Sequence, residues 1–368
     1  MNIDIILPYK EIFSQENASA VSLTIKNSAE FSEFYSAINI YGQKTDNPFK
    51  GLKFNGIKTN KILHFGNNNS ILINYFKIIK NQKRGKKIIE IHNRPYLFNS
   101  AVAKEKNNPI TIHFHNDPRE MRGSKKIKER IFIAKNAAAV YFVSDYIKNC
   151  FLEGFDFNFD NLYVLPNAIQ RTFTEKPIKE KEILFIGRLV PAKGCHLYVD
   201  AIREIVKNNQ DWMFKIIGTP KAGQGKLSTD YSKNLIKDFE SLGPNTKYLG
   251  FVTNDKVSEH LKKVSILVVP SIWQEPFALT ALEGMCNGAA VIASKVGGLT
   301  EMLVDIGLLI DEIDAEKLKK CINSLIVDKK LLENYQNNSW YKYQYNQKDI
   351  VKKQDFIRRK IFNTYCFL

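Results

Sequence analysis

Two carboxylates and two cations in the second half of this chain have the types and spacing to bind a phosphorylated ligand. Glu275 follows an apolar run, Ile266 to Val269, that Pro270 bounds and whose length suits a buried parallel strand. Glu283 lies eight positions later, about two helical turns along a segment that is helix-permissive from Leu279 to Cys286. Asn287-Gly288 stops that segment, and Val291-Ile292-Ala293 starts another strand. In such β-loop-α-β units ligands bind at the carboxyl ends of the strands, where the first helical turn offers unpaired N–H groups and a positive dipole end. An anion is the expected guest. A carboxylate beside a diphosphate would be repelled, so each Glu is expected to accept hydrogen bonds from sugar hydroxyls flanking the phosphates. Taken alone, the two residues read as a loop cap and a solvated helix face. Upstream, strand 183–186 runs into Gly187-Arg188-Leu189-Val190-Pro191-Ala192-Lys193-Gly194 and then a helix over 195–206. Gly187 permits a tight turn, and Arg188 and Lys193 stand just before a helix N-terminus, a combination that favours phosphate.

The first half offers histidines. Strand 88–91 runs into His92-Asn93-Arg94-Pro95, and strand 110–114 runs into His115-Asn116-Asp117-Pro118. Alternation puts Ile110, Ile112 and Phe114 on one face and Thr111, His113 and His115 on the other. His113 reads as a satisfied core histidine. Two strand-end His-Asn pairs in one half of a chain are harder to treat as core.

These residues need two sheets to hold them. A chain of 368 residues exceeds the size at which one core keeps growing, so two domains are expected. The N-terminus has no basic n-region, its apolar run is too short for a signal peptide, and nowhere do 18 apolar residues run together, so a cytoplasmic protein is expected. Five scattered cysteines with no C-x-x-C spacing imply neither a disulfide framework nor a zinc site. The net charge is +16, of which +9 falls in residues 1–175 and +7 in the rest. A polyanion or an anionic membrane surface is a candidate partner, and a coding bias toward Lys and Asn would give the same count.

In order, the pattern predicts a strand at 3–7, a helix from about Ala18, a strand at 38–41, loop through Asn60, and a helix over 70–80. Strand 139–143 precedes a helix over 145–151 capped by Ser144. Further strand ends are expected at 214–217 and 248–252, and a basic amphipathic helix over 349–362. The stretch REMRGSKKIKER, 119–130, carries Arg122, Lys125, Lys126 and Lys128, which fit an anionic partner or a plain solvated face equally well.

The run E-P-F-x-L-T-x-L-E, then G-M-x-x-G and V-I-A-S-x-x-G-G-L-x-E, resembles the retaining glycosyltransferases of family 4. The resemblance implies an α/β GT-B fold, two Rossmann-like domains facing across a cleft: 1–170 on the acceptor side, a linker at 171–181, a nucleotide-sugar-binding domain at 182–348, and a terminal helix at 349–368 crossing back to the first domain. It implies that Glu275 contacts the transferred sugar, Glu283 the ribose, the amides of Phe277, Ala278 and Leu279 the sugar and diphosphate, and Gly187, Arg188 and Lys193 the diphosphate. Ala278 stands where the family has Gly. The H-N pairs resemble N-domain strand ends near the transferred sugar, which makes His115 the catalytic-centre candidate and places His92 and Arg94 on the acceptor side. The first loop lacks the family's glycines, although Asn17 and Ser19 still offer hydrogen bonds; Asn17, Arg122 and Lys125 complete the acceptor-side set.

The activity so implied is metal-independent transfer of a hexosyl or N-acetylhexosaminyl group from a nucleotide sugar, UDP-linked, to a glycan or glycolipid acceptor in cell-surface glycan or lipopolysaccharide synthesis. No cofactor is expected, nor any nucleic-acid partner, and the location is the cytoplasm or the inner face of its membrane. A catalytically silent sugar-binding member and a basic nucleic-acid-binding protein are the competing readings.

Overall fold

The structure is a computed structural model that describes residues 1–16, 18–80, 85–220 and 229–366. Its contacts divide the chain into two units, 1–168 with 347–368, and 169–346. The expected boundary at 170 therefore falls at 168. Residues 171–181, expected as a linker, belong to the second unit, and their last two begin its first strand. The terminal helix Gln347–Cys366 belongs to the first unit.

The first unit is a seven-stranded parallel sheet in the order β3-β2-β1-β4-β5-β6-β7. Its strands are β1 (Asn2–Ile6), β2 (Ile38–Gln43), β3 (Lys53–Ile57), β4 (Lys87–His92), β5 (Ile110–Phe114), β6 (Ala139–Phe142) and β7 (Leu162–Val164). β4 and β5 are buried throughout, as expected for central parallel strands with helices on both faces. Two elements escape the pattern. β3 lies in the stretch expected as loop, because its polar, edge-strand sequence has little apolar alternation, and the helix Pro95–Lys104 starts with Pro at its first position inside a strand-end motif.

One buried network ties the terminal helix to this sheet. Arg358 places Nε 2.8 Å from one oxygen of Glu90 and Nη2 2.8 Å from the other, while its Nη1 is 3.0 Å from Asp355. Asp355 also accepts from Ser32 and from the backbone N–H of Glu33. Burial here is tolerable because the one guanidinium faces both carboxylates and every charged group is hydrogen-bonded.

The second unit is a six-stranded parallel sheet in the order β10-β9-β8-β11-β12-β13. These are β8 (Glu180–Ile186), β9 (Met213–Ile217), β10 (Thr246–Tyr248), β11 (Val264–Val269), β12 (Ala290–Ser294) and β13 (Leu308–Ile310). Strand succession turns back between β1 and β4 in the first sheet and between β8 and β11 in the second. Such switch points leave a crevice outside the carboxyl ends of the strands. His92 ends β4, and the segments carrying Lys193 and Glu275 follow β8 and β11.

Candidate functional site

In the second unit the switch point brings the two segments singled out by their chemistry into contact. Gly194 makes the approach possible: its φ is +68°, and a Cβ there would sit 1.8 Å from the carbonyl oxygen of Pro270. The backbone N–H of Ile272 then donates to Ala192 at 2.9 Å. The result is that Lys193 Nζ lies 2.5 Å from Oε1 of Glu275. Ser271 Oγ donates to the same oxygen at 2.5 Å. Glu275 is only 4 % exposed, so the loop that carries it holds it firmly.

Its main chain is fixed from the other side by Gly297-Gly298. Gly298 donates to the Glu275 carbonyl at 2.7 Å, and a Cβ on Gly297 would lie 2.2 Å from that carbonyl oxygen. The pair of glycines is thus a close-approach requirement, which is the physical content of the G-G in the sequence. Ala278 has φ 59° and ψ 78°, a left-handed conformation that its Cβ disfavours, and it directly precedes the helix Leu279–Cys286. Phe277, Ala278 and Leu279 have no backbone acceptor for their N–H groups among the described residues, which leaves that helix N-terminus open to an anion. Arg188 is exposed and has no side-chain partner among the described residues. Gly187 is pinned by the close approach of Gly218 to its carbonyl oxygen.

Glu283 is half-buried, with no side-chain partner among the described residues, and burial pushes its carboxyl up to about 7. Such a group gains most from a ligand that donates hydrogen bonds to it.

The first unit gathers the histidines. Asn93, with φ 54°, spans the ends of β4 and β5: its N–H donates to the His113 carbonyl at 2.8 Å and its Oδ1 accepts from the His115 N–H at 3.2 Å. His92 Nδ1 lies 2.9 Å from His115 Nε2, and His92 stacks on His113 with ring centres 4.2 Å apart. Desolvation holds His115 down to about 3, with the neighbouring His113 adding to it, and holds His92 and His113 well below the usual histidine range. All three are neutral at physiological pH. His113 departs from the expected satisfied core histidine, because its Nε2 is buried without a hydrogen-bond partner among the described residues, as is that of His92. Glu90, His92 and His113 offer ligand-type atoms within 4.8 Å of one another. Both Glu90 oxygens are engaged by the Arg358 guanidinium, so a cation there would meet a buried positive charge; the cluster suits neutral hydrogen bonding better.

The acceptor-side candidates scatter. Arg94 turns its Nη1 back onto the carbonyl of Asn93 at 2.6 Å. Arg122 lies over the Tyr96 ring at 5.3 Å, and Lys125 is exposed, its carbonyl accepting from Arg130. Asn17 lies outside the described residues. Three contributors escaped the sequence reading: Ser271, whose short side chain carries no motif of its own; Asn93, visible only as half of an H-N pair; and Trp273, whose ring centre is 5.2 Å from Lys193 Nζ.

Comparison with known proteins adds the family. The model described as glycosyl transferases group 1 matches residues 167–340. The chain is 34 % identical over 274 residues to an uncharacterised glycosyltransferase of Methanocaldococcus jannaschii, covering 71 % of this chain and 72 % of that one. It is 24 % identical over 260 residues to the lipopolysaccharide 1,2-N-acetylglucosaminetransferase of Salmonella typhimurium, covering 66 % and 64 %. The crystal structure of HepE from Anabaena in complex with UDP and glucose superimposes with a TM-score of 0.72 at 16 % identity over 99 % of both chains. The fold is GT-B, and the chain belongs to the group 1 glycosyl transferases.

Proposed function

We propose that this chain is a retaining, family 4 type glycosyltransferase that moves a hexosyl or N-acetylhexosaminyl group from a UDP-linked sugar to a saccharide or lipid-linked saccharide of the cell surface or lipopolysaccharide. The observation that carries it is the Lys193–Glu275 pair beside an open helix N-terminus. A carboxylate alone would repel a diphosphate. Neutralised by Lys193 and held by Ser271 on Oε1, Glu275 keeps its second oxygen to accept from a sugar hydroxyl.

Lys193, with donors to spare, and Arg188 neutralise the diphosphate as it departs, together with the amides of Phe277, Ala278 and Leu279. Glu283 takes the ribose hydroxyls. His115, neutral, hydrogen-bonds the donor sugar or reacting centre. The bond from the anomeric carbon to the diphosphate oxygen breaks while the bond to the acceptor oxygen forms on the same face, and the acceptor's proton passes to the leaving phosphate. His92, Arg94, Asn17, Arg122 and Lys125 belong to the acceptor side. No metal or cofactor takes part in the proposed reaction. The UDP of the HepE complex and the acceptor class of the Salmonella relative support the reading of donor and pathway. A site at the cytoplasmic face of the membrane goes with such an acceptor.

The test is nucleotide binding followed by turnover. UDP should raise the unfolding midpoint, and one UDP-sugar of a panel should release UDP in the presence of enzyme. Binding without turnover would favour the silent sugar-binding member, and no effect of UDP would overturn the donor assignment.

A further inference from the structure

His92 and His115 meet nitrogen to nitrogen. His92 Nδ1 is 2.9 Å from His115 Nε2, with the two rings at 20° to one another and their centres 5.2 Å apart. A neutral imidazole carries one N–H and one bare nitrogen, so this contact is made by a single proton that one ring donates and the other accepts. The nitrogen left to His115 for a ligand is Nδ1. It is a donor if the proton in the contact comes from His92, and an acceptor if it comes from His115.

What lies behind His92 decides between the two. Glu90 stands two positions earlier on β4 and so shares its face, and β5 sets His113 beside His92 in register. Glu90, His92 and His113 bring ligand-type atoms within 4.8 Å of one another, and the Tyr141 ring stacks on His113 at 4.3 Å between centres. Two carboxylates, Glu90 and Asp355, share the one Arg358 guanidinium, which leaves the charged group behind the histidines net negative. His92 is 4 % exposed, and its Nε2, like His113 Nε2 and Tyr141 Oη, is buried without a hydrogen-bond partner among the described residues. Glu90, His92, His113 and Tyr141 line a cavity of about 30 Å³, enough for one or two waters. A bare Nε2 buried beside that carboxylate would set lone pair against negative charge. An Nε2–H is attracted to it, directly or through a water in the cavity.

We propose that His92 is a positioning residue that fixes the tautomer of His115. Its proton stays on Nε2, its bare Nδ1 accepts from the Nε2–H of His115, and His115 turns a bare Nδ1 outward as a hydrogen-bond acceptor for a hydroxyl of the donor sugar. Being buried, His92 acts through its neighbour and not on a substrate. The contact with the sugar rests on the function proposed above, whereas the tautomer rests on the cluster alone.

Nitrogen-15 correlation spectra of the histidine-labelled protein at pH 7.5 read the tautomers directly. His92 and His115 should each show a protonated Nε2 and a bare Nδ1, the His115 N–H being sharp because its hydrogen bond shields it from exchange. His92→Phe should broaden that signal. His92→Asn, whose amide oxygen falls near the place of Nδ1, should keep it. With the accepted UDP-sugar, His92→Phe should lower kcat/KM by about tenfold while UDP binds as in wild type, and His92→Asn should recover most of the loss. A bare Nε2 on either histidine overturns the assignment. Equal turnover of wild type and His92→Phe, or an equal loss in the Phe and Asn variants, overturns the positioning role. A wild type that turns over no UDP-sugar would sink the function proposed above and not the tautomer, which the spectra decide.

Discussion

Lys193 Nζ and Glu275 Oε1 stand 2.5 Å apart across 82 positions of sequence, joined by the switch point of the second sheet. The pair is one-fifth exposed at the lysine and nearly closed at the glutamate, so its charges are poorly screened. In the proposed reaction Lys193 holds the diphosphate, so Lys193→Met would remove a phosphate ligand and leave Glu275 as an unbalanced charge beside it. UDP affinity should fall by about 2–4 kcal/mol, since a charge-assisted contact is worth roughly 1.5–3 and a repulsion is added. Titration calorimetry with UDP measures it; unchanged affinity would remove Lys193 from the site.

Glu283 gives a prediction with opposite signs for stability and binding. Its folded-state carboxyl lies near 7 against an ordinary 4.5, so the folded state holds the proton more tightly. The stabilisation is complete below about 4.5 and is lost as pH rises through about 7, amounting to ~3 kcal/mol at full ionisation. Glu283→Gln should therefore melt higher than wild type at pH 8 and equally at pH 4.5. If Glu283 takes the ribose as proposed, UDP affinity of the wild type should increase between pH 6 and 8, because ribose hydroxyls would donate to the ionised form, and the Gln variant should lose that dependence. A Gln variant that melts lower at pH 8 would contradict the burial argument.

The histidines make the first unit acid-sensitive. His92, His113 and His115 all titrate below the ordinary range, so in the unfolded state they take up protons near 6.5 that the folded state refuses. Stability is present above about 6.5 and is lost as pH falls below it. Replacing His113 by Gln should flatten the fall in unfolding midpoint between pH 7.5 and 5.5. Nitrogen-15 NMR should find His115 neutral at pH 5.5; an imidazolium there would refute its role as a neutral hydrogen-bonding group.

Arg358 predicts the bond between the terminal helix and the sheet. Arg358→Met strands Glu90 and Asp355 as buried charges and should cost about 3–5 kcal/mol, whereas the double change Arg358→Met, Glu90→Gln should recover much of it. Denaturant unfolding of the two variants measures the difference.

Much of this was legible in the chain itself. Alternation and apolar runs placed β4, β5, β11 and β12, and the helix Leu279–Cys286 came out with its observed ends, because there the local pattern and the tertiary burial agree. Glu275 and Lys193 were each visible beside their motifs. Their contact was not, since it depends on strand order, and no local pattern says that β8 neighbours β11. The Glu90–Arg358 fork joins residues 268 positions apart and leaves no periodic trace. Ala278 stands in a glycine's place in the sequence motif, and only the structure shows that this position takes a positive φ.

The central claim is that Glu275 holds the sugar in a UDP-sugar site without being needed for the fold. Release of UDP from the accepted UDP-sugar should be compared in wild type and Glu275→Gln, with UDP binding measured on both. The isosteric amide keeps an oxygen for Ser271 and Lys193, so UDP should bind within about threefold of wild type while turnover falls by roughly a hundredfold or more. Turnover at the wild-type rate with the same donor affinity would contradict the account.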